Sequence, residues 1–185
     1  MGKAILERRP VCHVRIFLAA SVPRFEGIED LFEAISKIPY SKPVRTPELH
    51  LTFRFFGNVS PAYVEQLKGS LEEAQLRKFA IKVKGIGAFP SLVKANVLFL
   101  EVENSPTITE NASLVAQIKP ISVEKRPFVP HITVGRFNKP ADCTSLKKKF
   151  GSISFEKEIS EIIIYESTLS EMGPIYNRLK AFQLK

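Results

Sequence analysis

The same order of elements occurs twice along this chain at a nearly constant separation, and that repetition restricts its possible folds more than any other feature. Cys12 to Ala20 alternates as a strand, with Val14, Ile16 and Leu18 on one face. Ile28 to Ile38 has helical spacing through Leu31, Ile35 and Ile38. Leu49 to Phe56 reads as a strand. Ser60-Pro61 then opens a helix reaching about Lys78, with a hydroxyl cap followed by proline at the first helical position. Phe79 to Ile86 is a further strand. The second half gives a strand at Asn96 to Val102, a helix at Ile108 to Ile118 and a strand at Phe128 to Phe137. Asp142 caps a short helix ending at Phe150. Strands at Ile159 to Thr168 and Ile175 to Leu184 complete the chain.

Matching elements lie about 80 to 83 residues apart, which predicts duplication of a β-α-β-α-β unit with a crossing near Glu103 to Ser105. Chance similarity of two α+β halves is the competing explanation, because few identities join them. If the repeat is real, the halves face each other across a pseudo-twofold axis, and corresponding residues meet in one cleft.

His50-Leu51-Thr52-Phe53-Arg54-Phe55-Phe56 and His131-Ile132-Thr133-Val134-Gly135-Arg136-Phe137 stand at that same separation. Successive side chains on a strand point to opposite faces. His50 and Thr52 therefore share one face, and His131 and Thr133 do the same, with apolar partners on the other. A single His-x-Thr arises by chance in roughly one such chain in five. Two of only three histidines in matching strands is a different matter. His13 fits neither motif and reads as structural.

Cleavage of a phosphodiester calls for such a pair. In-line displacement needs a base on the attacking water and an acid on the departing oxygen, on opposite sides of phosphorus. Imidazole serves both roles near neutral pH, its reference pKa being about 6.5. Ring nitrogens roughly 5–7 Å apart would span a phosphoryl group. Threonine hydroxyls can donate to the non-bridging oxygens, where charge builds in the transition state. Neither motif has a third histidine or a carboxylate cluster at metal-ligand spacing, so no catalytic metal is expected.

Two His-x-Thr strands in a duplicated α+β chain resemble the two-histidine (2H) phosphoesterases, in particular the LigT-like RNA 2′,3′-cyclic phosphodiesterases of the 2′-5′ RNA ligase family. Glu48 to Gly57 is similar to that family's first motif, and Pro130 to Arg136 to its second, including the arginine five residues past the histidine. Gly85-Ile86-Gly87-Ala88-Phe89-Pro90, Ser167-Thr168-Leu169 and Gly173-Pro174-Ile175-Tyr176 add to the likeness, which covers nearly all the chain from Val14. The resemblance implies an α+β, bilobal fold with antiparallel sheets facing a central cleft and helices outside, and no cofactor. It implies hydrolysis of a terminal 2′,3′-cyclic phosphate to a 2′-phosphate, and ATP-independent 2′-5′ ligation when an RNA 5′-hydroxyl replaces water. His50 and His131 become the catalytic pair, with family precedent favouring His50 as acid and His131 as base. Thr52 and Thr133 become phosphate donors.

Arg136 joins them as a phosphate contact only if a bulge re-aims it, because simple parity turns it away from the cleft; Gly135 suits such a bulge. Arg54, which has the parity of His50, and Tyr176 are possible substrate contacts. The expected partner is RNA with a 2′,3′-cyclic phosphate end, tRNA fragments included, and the expected state is a monomer in the cytoplasm. A non-catalytic RNA-end-binding module on the same fold, and an enzyme for small cyclic nucleotides or 2′-5′ oligonucleotides, are the competing functions.

The rest of the chain is less specific. Of 185 residues, 44% are hydrophobic and 25% charged, as in globular proteins able to bury a core without staples. A net charge of +8 suits a polyanionic partner, although the charge is spread along the chain. No apolar run approaches the ~20 residues of a membrane span. Cys12 and Cys143 are in no metal-ligand spacing and read as small buried hydrophobes. Residues 1–11 read as a flexible basic arm before a single bilobal domain, 12–185. Gly85 and Gly87 are expected to serve a turn, and Lys147 to Lys149 a solvated helix face.

Overall fold

The computed structural model describes residues 13–44, 46–118, 127–170 and 173–185; the N-terminal arm and Cys12 lie outside them. The elements run β1 (Val14–Val22), α1 (Ile28–Ser36), β2 (Ser41–Pro43), β3 (Leu49–Val59), α2 (Pro61–Glu73) and β4 (Phe79–Phe89). A short 3-10 turn (Leu92–Lys94) leads to β5 (Ala95–Val102), α3 (Pro106–Gln117), β6 (His131–Ala141), α4 (Thr144–Phe150), β7 (Ser154–Ile159), β8 (Glu161–Ser170) and β9 (Gly173–Gln183). Strands β2 and β7 were not foreseen: one is three residues long, and Ser154 to Glu158 is too charged to show an apolar face.

Capping explains where the longer helices start. Ser60 and Ser105 each precede a proline, and each hydroxyl accepts from the amide three residues on, Tyr63 and Ile108, at 3.3 Å. Asp142 acts one position further out than expected. Its Oδ1 accepts from the Thr144 amide at 2.8 Å and the Thr144 hydroxyl at 2.7 Å, while Cys143 takes the cap position.

All strand pairs are antiparallel, in the order β7-β4-β5-β6-β3-β1-β8-β9, with β2 on β6 beyond the point where β3 departs. Strands β6 and β3 sit at the middle of this order. The order is symmetric about their junction: β5 answers β1, and β4 answers β8. Each half of the chain thus sends its later strand into the other half's side of the sheet. Helices follow the same exchange, since α1 packs near β6 and α3 near β3.

The core lies between the sheet and the helices, with Leu18, Leu31, Phe32, Ile35, Leu51, Leu98, Ile108 and Ile132 almost wholly buried. Glycines at two places keep this packing tight. Gly85 is not in a turn, contrary to the sequence reading. It sits at an irregularity between Val83 and Ile86 in β4, with φ +87°, where a Cβ would lie 2.6 Å from the Gly151 carbonyl oxygen. A Cβ on Gly87 would meet the Phe99 ring at 2.8 Å.

Candidate active site

Strands β3 and β6 touch at one register point, Leu51 opposite Ile132. An antiparallel pairing there sets His50 across from Thr133 and Thr52 across from His131. Directly opposed side chains have Cβ atoms about 5 Å apart and diagonal ones about 7 Å. The two histidines occupy one diagonal of a four-residue square and the two threonines the other. The apolar members, Leu51 and Ile132, point to the core and are fully buried. Phe17, Val44, His50, Thr52, Phe55, His131, Thr133, Arg136 and Tyr176 line a common cleft over this square.

Bulges decide which residues beyond the square reach the cleft. On β6 the partners of Leu98 and Phe99 are Gly135 and Thr133, so Val134 is an extra residue. Val134 and Gly135 both face the helices, a Cβ on Gly135 meeting the Ile35 side chain at 3.1 Å, and Arg136 returns to the cleft. On β3 the partners of Leu18 and Ala19 are Arg54 and Thr52, so Phe53 is extra in the same way. Here the bulge overturns an expectation. Arg54 leaves the cleft face, and its Nη1 donates to the carbonyls of Val115, Ala116 and Ile118 at 3.0, 3.1 and 3.2 Å. It supplies the cation that the last turn of α3 lacks. Phe55 takes the cleft position instead.

The histidine rings are held differently. His131 Nδ1 is 2.7 Å from the Val129 carbonyl oxygen, so Nδ1 carries the proton and Nε2 offers its lone pair. Phe89 and Phe99 meet this ring edge-on at 5.1 and 5.3 Å. His50 is enclosed by aromatic edges, with Phe17 at 5.8 Å, Tyr165 at 4.7 Å and Tyr176 at 5.2 Å. The Tyr165 hydroxyl donates to Glu48 Oε2 at 3.3 Å.

Burial therefore dominates both titrations. It pushes His50 down to about 4, against the opposing pull of the Glu48 carboxylate. It also lowers His131; the Val129 bond works the other way, and the Arg136 charge adds to the lowering. Both rings are therefore neutral at neutral pH. Tyr176 is raised by burial, with Arg136 and Arg15 opposing, so it remains a neutral phenol.

Sequence reasoning missed Phe17 and Phe99, the aromatic walls of the two histidines. They stand 82 residues apart on β1 and β5, and their recurrence at the repeat separation was a signal available to find them. It also missed the Tyr165–Glu48 pair behind His50, for which the sequence holds no cue. His13 is exposed just before β1, away from the cleft residues. Cys143 is buried, and burial raises its thiol to about 11. Lys147 departs from a solvated face: its Nζ donates to the Ile86 carbonyl at 2.5 Å and Glu101 Oε2 at 2.9 Å. Among the described residues no three His, Cys, Asp or Glu side chains are grouped as a metal site requires. No helix among them is long and apolar enough to cross a membrane.

Known proteins resemble this chain in sequence and fold. Residues 23–170 match the model of the 2′-5′ RNA ligase superfamily. The chain is 31% identical to an RNA 2′,3′-cyclic phosphodiesterase of Methanocaldococcus jannaschii, over 90% of this chain and 99% of that one. It is 28% identical to a protein of the same name from Archaeoglobus fulgidus, over 92% of this chain and 100% of that one. The crystal structure of TT0787 from Thermus thermophilus superposes with a TM-score of 0.72 at 26% identity, covering 92% of this chain and 97% of the other.

Proposed function

Since this chain belongs to the 2′-5′ RNA ligase superfamily, we propose that it hydrolyses the 2′,3′-cyclic phosphate end of RNA to a 2′-phosphate, by acid–base catalysis between His50 and His131. One observation carries the reading: the Leu51–Ile132 register point, which brings His50, Thr52, His131 and Thr133 to one cleft.

In this reading His131 Nε2 takes a proton from water as the water oxygen attacks phosphorus. The P–O3′ bond breaks, and His50 delivers its proton to O3′. Water's second hydrogen stays on the new phosphate, and the imidazoles exchange protonation states. Thr52 and Thr133 donate to the non-bridging oxygens, and Arg136 offsets their growing charge. The Val129 carbonyl suits His131 to the role of base, because it fixes the tautomer and stabilises the imidazolium that forms. His50 as acid needs a proton that its burial disfavours. A bound phosphate anion a few ångströms away supplies the compensating field.

Product analysis on a short RNA ending in a cyclic phosphate, in the presence of a chelator, tests this. The expected product is a 2′-phosphate. A 3′-phosphate, or activity that chelation abolishes, overturns the mechanism. A joined 2′-5′ strand would show the same step run with a 5′-hydroxyl nucleophile. Salt-sensitive binding without product would reduce the protein to an RNA-end-binding module.

A further inference from the structure

The chain enters β3 through a segment that skirts the cleft, and this segment brings a second cation to Arg136. Strand β2 pairs with β6 so that Lys42 lies directly opposite Arg136 and Pro43 opposite Gly135. Beyond Pro43 the register meets the β6 bulge, where the Val44 amide donates to the Val134 carbonyl at 2.9 Å. Val44 lines the cleft. Lys42, two positions earlier on an extended segment, shares its face. Opposed residues in an antiparallel pair share a face as well, which independently sets Lys42 beside Arg136 on the cleft side.

Two like charges directly opposite one another destabilise a sheet. Among the described residues, neither Lys42 nor Arg136 has a carboxylate within 4 Å to relieve this. Elsewhere the same surface pairs its cations readily, as Lys84 with Glu103 and Lys82 with Glu156. An uncompensated pair beside the cleft of the two histidines is matched by a ligand with two successive negative charges.

We propose that Lys42 binds the phosphodiester immediately 5′ of the terminal nucleotide, making the protein selective for strand ends over mononucleotides. The proposal rests on the cyclic phosphodiesterase reading above. It assigns the terminal phosphate to the histidines, threonines and Arg136, and the next phosphate to Lys42. Lys42 is a specificity residue that touches no reacting atom.

The test compares a nucleoside 2′,3′-cyclic phosphate with a dinucleotide ending in the same group, using the full-length protein. The wild type should favour the dinucleotide by about tenfold or more in kcat/KM, the scale of one solvent-exposed charge-assisted contact. Lys42→Ala should raise KM for the dinucleotide about tenfold and leave kcat and the mononucleotide unchanged. Lys42→Arg should keep most of the preference. A dinucleotide with an uncharged methylphosphonate linkage should be indifferent to Lys42→Ala. In Lys42→Ala the dependence of log KM on log salt should flatten by about 0.7, one single-strand phosphate contact.

Equal losses on both substrates, or none on either, overturn the proposal and leave the cyclic phosphodiesterase reading intact. A wild-type protein that opens neither substrate overturns both.

Discussion

Phe55 and Arg136 occupy the same station in the two halves of the sheet, each just past a one-residue bulge and each on the wall of the same cleft. The square of histidines and threonines is nearly symmetric. This pair of positions is where the symmetry ends, with a cation on one side and an aromatic ring, 51% exposed, on the other. On the proposed reading, a phosphate in the centre is drawn towards the Arg136 side.

Under the proposed mechanism, replacing either histidine removes one of two proton transfers. His50→Ala and His131→Ala should each lower kcat on the order of 10²–10⁴-fold. Thr52→Ala and Thr133→Ala should cost about tenfold each, mostly in kcat, because the phosphoryl oxygens gain charge in the transition state. Steady-state rates on a dinucleotide cyclic phosphate check this; full activity in either histidine variant would remove the residue from the mechanism.

The pH profile follows from the burial of the two rings. Both are depressed in the free enzyme, so the acid form is lost and the base form gained at lower pH than for free imidazole. The optimum of kcat/KM, which reports the free enzyme, should lie below pH 6.5. A bound phosphate anion raises both groups, so the optimum of kcat should lie at higher pH. Coincident optima at or above neutrality would contradict the burial argument.

Stability should respond to the same burial. His50 titrates near 6.5 when unfolded and near 4 when folded. The unfolded chain takes up the proton first as pH falls. Stability present above pH 6.5 is therefore lost between pH 6.5 and about 4, by up to about 3 kcal/mol. Denaturant titrations at pH 7 and pH 4.5 should show a smaller loss for His50→Gln than for the wild type.

Arg54→Ala separates structure from chemistry. Three carbonyls at the end of α3 lose their donor, which should cost about 1–3 kcal/mol in stability. The folded variant should keep kcat and KM near those of the wild type. A KM that rises for RNA substrates without a fall in melting temperature would return Arg54 to the cleft.

Periodicity revealed the strands and helices that bury an apolar face, and the repeat located the histidines, because both are written in spacing. Bulges are not. Phe53 and Val134 look like ordinary alternating residues, yet each shifts the parity of everything after it. Arg136 was legible because the second motif's likeness includes it and the preceding glycine allows a bulge. Arg54 was misread because its own neighbours carry no such mark. Strands β2 and β7 were hidden for a different reason: their place in the sheet depends on partners remote in sequence, not on a pattern of their own. Val44 and Lys42 reach the cleft through that same unforeseen strand.

The exchange of later strands between the halves has a consequence for how the molecule can be divided. A cut at the 3-10 turn before β5 would not release two small proteins, because β4 would leave without β5 and β8 would have no β1 to lie against. Each piece would display an unpaired edge shaped for the other. Reactivity would return only on mixing, as with two interlocked hooks that hold nothing singly.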